Sequence, residues 1–166
     1  TRSLCDWSSD VCSSDLTNGF ADVATGTLTN GTTYTINAKV IDIAANASTA
    51  SSNFTTTVDT VAPSAPSITS VTDDVGSITG TLTTGGRTDD TNLTVRVSLT
   101  STGAVAGDTI QLYNSTTALG TAYTLLAADI TNGFADVATG TLTNGTTYTI
   151  NAKVIDIAGK IGRAHV

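Results

Sequence analysis

The chain predicts an all-β protein of repeated two-sheet sandwiches. Three observations carry that expectation. Residues 17–44, TNGFADVATGTLTNGTTYTINAKVIDIA, recur unchanged as residues 131–158, at an offset of 114. Such a repeat at the size of one small domain marks tandem duplication. Thr, Val and Ile, which favour strands, are abundant, whereas Glu, Leu and Lys, which favour helices, are scarce. Asp, Asn and Gly punctuate the chain at turn spacing.

Period-two alternation locates the strands. Residues 92–100 put Leu93, Val95, Val97 and Leu99 on one face, with Thr94, Arg96 and Ser98 on the other. Residues 146–156 turn Tyr148, Ile150, Ala152 and Val154 inward. Shorter strands are expected at 67–72, 77–83, 109–113, 119–125 and 134–142. Residues 52–58 add one more, with Phe54, Thr56 and Val58 on a common face. Turn signals separate them at Asp73-Asp74, Gly85-Gly86, Thr102-Gly103, Asn114-Ser115, Asn132-Gly133 and Asn144-Gly145. About seven short strands at this spacing make a two-sheet sandwich. In LTNGTTY, at 28–34 and 142–148, the spacing of Leu, Gly and Tyr resembles a tyrosine corner of Greek-key sandwiches. It assigns Tyr34 and Tyr148 a structural hydrogen bond to backbone upstream.

The ends read differently. Residues 10–16, DVCSSDL, and residues 160–166, KIGRAHV, are translations of one short DNA read on opposite strands. That DNA resembles a sequencing adapter, and upstream extension accounts for residues 6–9. The expected organisation is therefore a non-native segment at 1–16 and the C-terminal part of one repeat at 17–59. A Pro-containing linker at 60–66 comes next, then a repeat lacking its last strand at 67–159, and a second non-native segment at 160–166. Cys5, Cys12, Trp7 and His165, the only residues of their types, all lie in the outer segments. Pro63 and Pro66, the only prolines, stiffen the linker.

Chemistry is sparse. Between 17 and 159 stand four basic residues (Lys39, Arg87, Arg96, Lys153) against eleven acids, all Asp. The net charge of −7 disfavours nucleic acid, whose phosphates need Lys and Arg. No apolar run reaches the length of a membrane span. A serine triad or zinc site needs histidine or cysteine, which this stretch lacks. Adjacent carboxylates such as Asp73 and Asp74 do not flank a bond as glycosidase acids do. Gly85-Gly86 precedes Arg87 rather than a phosphate-binding lysine motif. No enzyme activity is expected.

VDTVAPSAPSI, SVTDDVG, GGRTDDT, GDTIQLYN and VIDIAANAS, in this order, resemble the bacterial immunoglobulin-like repeats of large surface adhesins. These are the biofilm-associated, type I-secreted kind. The likeness covers nearly all of 17–159, although many such repeats carry Pro after TDDT and this one has Asn92-Leu93. It implies immunoglobulin-like Greek-key sandwiches, one partial and one nearly complete. It further implies an extracellular stalk, on a bacterial surface or secreted, that spaces an adhesive tip from the cell. Neighbouring repeats are the implied partners, with a surface glycan or protein bound through other domains. The resemblance also implies calcium at module junctions, with Asp42, Asn46, Asp59, Asp74 and Asp90 as ligands. The alternative for the Asp residues is that they cap turns. The alternative function is a ligand-binding module for carbohydrate or a surface protein. The few aromatics and the unchanged copying of 17–44 favour the spacer.

Overall fold

A computed structural model describes residues 19–77 and 79–162. The chain divides into two compact units at Asp59/Thr60. Expectations for residues 1–16 and 163–166 fall outside the described residues.

Unit 1 contains one antiparallel pair, β1 (Thr33–Ile36) and β2 (Phe54–Thr57), with Tyr34 opposite Thr56 and Ile36 opposite Phe54. The pairing continues irregularly to an isolated bridge between Ile41 and Ala47. Among the described residues of unit 1, these two strands have no second sheet over their apolar face. Phe54 is therefore 67 % exposed and Val40 75 % exposed. Of the expected common face, Thr56 and Val58 are half-buried and Phe54 is exposed.

Unit 2 is a two-sheet sandwich. Its strands are β3 (Ser67–Asp73), β4 (Gly80–Thr81), β5 (Thr94–Ser98), β6 (Thr109–Asn114), β7 (Thr117–Thr124), β8 (Phe134–Ala138), β9 (Ile150–Ile155) and β10 (Ile161–Gly162). One sheet runs β4-β3-β5-β8 and the other β10-β9-β6-β7, with antiparallel neighbours throughout. Val95, Val97, Ala135 and Val137 of the first sheet join Ile110, Leu112, Ala152 and Val154 of the second in one core. Leu93, Val95, Val97 and Leu99 are all buried, as alternation predicts. Tyr148 and Ile150 are only half-buried, since they lie where the sandwich opens.

Helix α1 (Ala127–Asn132) interrupts the strands between β7 and β8. Gly133 ends it at φ 74, its N–H bonded to the carbonyls of Asp129 and Ile130. The Asn132-Gly133 turn signal thus marks a helix C-terminus. The Asp129 carboxylate accepts from the Leu126 N–H at 2.8 Å and from the Tyr123 hydroxyl at 3.0 Å. That bond to Asp129, with burial, raises the Tyr123 phenol above its usual range.

On the solvent face of β5, Arg96 grips Asp136 of β8 through two 2.8 Å bonds and stacks 4.0 Å above Phe134. The guanidinium holds the Asp136 carboxyl below its usual value. A depressed carboxylate stabilises the fold above its unfolded pKa, and that contribution disappears as pH falls through the folded pKa. Both side chains are more than a third exposed, so solvent screening leaves the pair little net weight in stability.

The segment read as adapter contributes β10. Ile161 pairs with Ile155 and Gly162 with Val154. Backbone ladder bonds demand no particular side chain, so this segment can extend the edge whatever its origin. Among the described residues, Ile161 and Gly162 form this strand.

Candidate functional site

The polar groups gather at the two ends of the units. At one end of unit 2, Asp73 terminates β3 with 2 % exposure. Its Oδ1 accepts the Val75 N–H at 3.0 Å, and its Oδ2 accepts the Thr88 hydroxyl at 2.6 Å. Thr88 Oγ1 in turn accepts the Asp90 N–H at 3.0 Å. Asp90 Oδ1 accepts the Asn92 N–H at 2.7 Å. The backbone at Gly76, with φ +79, lies so close to Asp89 that any Cβ there would collide with the carboxylate. The DDVG and TDDT segments are therefore one interlocked pair of loops. Asp90 is 6 % exposed, and its Oδ2 is buried without a hydrogen-bond partner. Asp74 is exposed.

The other end of unit 2 receives the incoming chain. Ser64 N–H donates to the Thr102 carbonyl at 2.7 Å, and Pro66 is buried. The carbonyls of Pro63 and Ser64 press on Gly162, leaving no room for a Cβ. The Pro-containing linker is thus docked onto unit 2 from Pro63 onward. Asp108, 2 % exposed, binds the Val105 N–H at 2.8 Å and the Ile157 N–H at 3.2 Å. Asp156 Oδ1 accepts the Lys160 N–H at 2.7 Å, and its Oδ2 is buried and unpartnered. Asp108 was not among the expected ligands. Its one signal is the Gly-Asp step directly before a strand.

Unit 1 repeats this turn. Asp42 Oδ1 accepts the N–H groups of Ala44 and Asn46 at 2.9 and 2.8 Å, and Oδ2 accepts Asn46 Nδ2 at 2.9 Å. The Asn46 side-chain donor, followed by its backbone donor, lowers the Asp42 pKa. This is the turn-capping role of Asp. Both carboxylate oxygens of Asp42 are already engaged, and the Asn46 amide is spent as a donor.

Strand direction separates the five proposed ligands. Asp42 follows the Ile41–Ala47 bridge, whereas Asp59 follows the Thr33–Thr57 pair, at the opposite end of the hairpin. Nine residues separate Thr33 from Asp42, on the order of 30 Å of strand. Asp74 and Asp90 lie at the end of unit 2 away from the entering linker. Of the five, only Asp59 is adjacent in sequence to the boundary between the units. No cluster of three or more metal-ligating side chains occurs among the described residues. Asp90 and Asp156 carry the property a cation site needs, an orphaned buried oxygen.

Tyr34 and Tyr148 occupy matching corners. The Tyr148 phenol accepts the Thr143 N–H at 2.9 Å, and Tyr34 accepts the Thr29 N–H at 2.9 Å. These donations lower both phenol pKa values. Tyr148→Phe is expected to cost unit 2 about 0.5–1.5 kcal/mol, the worth of one such bond. Chemical denaturation of unit 2 checks this, and Tyr34→Phe should leave that transition unmoved.

An open pocket of about 280 Å³ is lined by Asn92, Thr121, Ala122, Tyr123, Val137, Ala138 and Gly140. It presents one aromatic and no charged side chain, a weak basis for recognising a ligand. Among the described residues, no helix is long and apolar enough to cross a membrane. Comparison with family models, curated proteins and solved structures returned no match to the chain.

Proposed function

We propose that this chain is part of a structural stalk, a spacer of immunoglobulin-like Greek-key repeats from a bacterial surface adhesin acting in attachment and biofilm. The observation that carries this reading is the tandem duplication itself, residues 17–44 recurring unchanged as 131–158. The chain enters unit 2 beside Gly162, at the end of the sandwich that holds Asp108 and Asp156. The strand order β4-β3-β5-β8 facing β10-β9-β6-β7 supports the immunoglobulin-like topology. Secretion and surface display belong to the same proposal, as does the absence of catalysis.

Calcium is proposed as the stiffening ion, with Asp90 Oδ2 and Asp156 Oδ2, at opposite ends of unit 2, each the first oxygen of a separate site. A divalent ion supplies the charge that a buried carboxylate oxygen lacks, and it takes backbone carbonyls as further ligands. Asp59 is the carboxylate placed to act at the junction itself.

The repeat length of 114 defines a test. Arrays concatenated from residues 45–158 should lengthen linearly in small-angle scattering, by roughly 25–35 Å per module. Removal of calcium should shorten the maximum dimension or broaden its distribution, with the β signal in circular dichroism retained. Asp59→Ala should behave like the chelated array. Calcium-independent scattering and melting would sink the metal assignment. A compact array, or specific glycan capture by a single module, would sink the spacer in favour of a ligand-binding module.

A further inference from the structure

We propose that this chain associates with a second copy of itself by exchanging the 17–58 hairpin for residues 131–162. The starting point is that 19–44 and 133–158 are the same residues, with apolar positions exposed in the first copy and buried in the second. In unit 2, Val137, Ala152 and Val154 are buried against β5 and β6. Their duplicates in unit 1 include Val23, 73 % exposed, and Val40, 75 % exposed. Whatever face accepts β8 and β9 accepts the duplicate equally, because every contacting side chain is identical.

The two donors differ in their continuations. After β9 comes β10, which among the described residues is Ile161 and Gly162. After β1 comes β2, four paired residues from Phe54 to Thr57. Phe54 stands opposite Ile36, the duplicate of Ile150, which packs against the unit 2 core. Donation of 17–58 would thus lay Phe54 over that core and pair the outer edge of β9's replacement along its length. The exposed Phe54 and the open edge are satisfied together.

The donor must come from another molecule. By the offset of 114, Gly162 marks the position of Ser48, and Gly162 touches Pro63. Thr57 would lie opposite the duplicate of Thr33, seven residues along from Val40, or about 24 Å of strand. Six residues from Thr57 to Pro63 span at most about 21 Å fully extended, with nothing left for the reversal. A second copy has no such tether, so the exchange is bimolecular and favoured by concentration.

Engineered disulfides test this in the full chain with Cys5→Ser and Cys12→Ser. Gln111 pairs with Lys153, whose duplicate is Lys39. Gln111→Cys with Lys153→Cys should form an intrachain bridge, establishing that the position accepts one. Gln111→Cys with Lys39→Cys, refolded from denaturant at high concentration, should give a disulfide-linked dimer on non-reducing electrophoresis. Phe54→Asp should lower the dimer yield at least about tenfold without moving the unit 2 melting transition. The proposal is overturned if the intrachain control closes while the Lys39→Cys variant stays unbridged. A bridge within one chain, identified by mass, also overturns it. So does a dimer yield indifferent to Phe54→Asp.

Discussion

Val154→Asp should abolish the unfolding transition of unit 2, while Val40→Asp should leave it within about 0.5 kcal/mol of its starting stability. The two valines are the same position of the duplicated block. Val154 is 0 % exposed between β6 and the facing sheet, whereas Val40 is 75 % exposed. A carboxylate at 154 must be buried unpaired or forced neutral, at a cost of several kcal/mol. That is a large share of the roughly 5–15 kcal/mol that holds a small domain. At 40 the carboxylate stays in water. Thermal melts followed by circular dichroism at micromolar concentration, where exchange between copies is suppressed, provide the readout. Equal effects at both positions would mean that unit 1 buries its block as unit 2 does.

Gly120→Ala should destabilise unit 2 by about 2–4 kcal/mol, combining left-handed strain with overpacking. Gly120 has φ +67 within β7, where the β6–β7 register shifts. An added Cβ would lie 2.7 Å from the Thr139 carbonyl oxygen and 2.9 Å from that of Ala138. Both are backbone atoms of the facing sheet and cannot rotate away. Gly145→Ala is the matched control, with φ +76 and open space around it. It should show the backbone strain alone, about 1–2 kcal/mol. Denaturant midpoints of the two variants separate strain from collision. If they coincide, the close approach of β7 to residues 138–140 contributes nothing.

The strands of unit 2 were legible because alternation and burial coincide there. Leu93, Val95, Val97 and Leu99 form one uninterrupted stripe, and a stripe in a strand has only one useful destination. Helix α1 was not legible. AADITN is too short for a helical period to emerge from its pattern, and it is set by the Asp129 carboxylate on Leu126 and by Gly133. The proposed ligand set fared differently again. Asp42, Asn46, Asp59, Asp74 and Asp90 were recognisable as loop residues, but strand direction decides which end of a unit each loop occupies. Turn composition carries no such information. Asp108 and Asp156 share an end, although 48 positions apart, only because Thr109 pairs with Ile155.

The duplicated block separates what sequence determines from what tertiary structure decides. Wherever an interaction closes within a few residues, both copies agree. Tyr34 and Tyr148 each bind the N–H five residues upstream at 2.9 Å. Asp42 and Asp156 each cap the next turn, with Ala45 at φ 65 and Gly159 at φ 78 in the same place. Local sequence is sufficient for these, because the partner arrives with the residue. Wherever the partner is distant, the copies diverge. FADVA is the buried strand β8 at 134–138 and irregular, mostly exposed chain at 20–24. Val154 is enclosed and Val40 is not. Strand pairing and apolar burial are supplied by β5 and β6, which only the second copy has beside it. Identical residues therefore fold into a sandwich where a facing sheet exists, and remain an open hairpin where it does not.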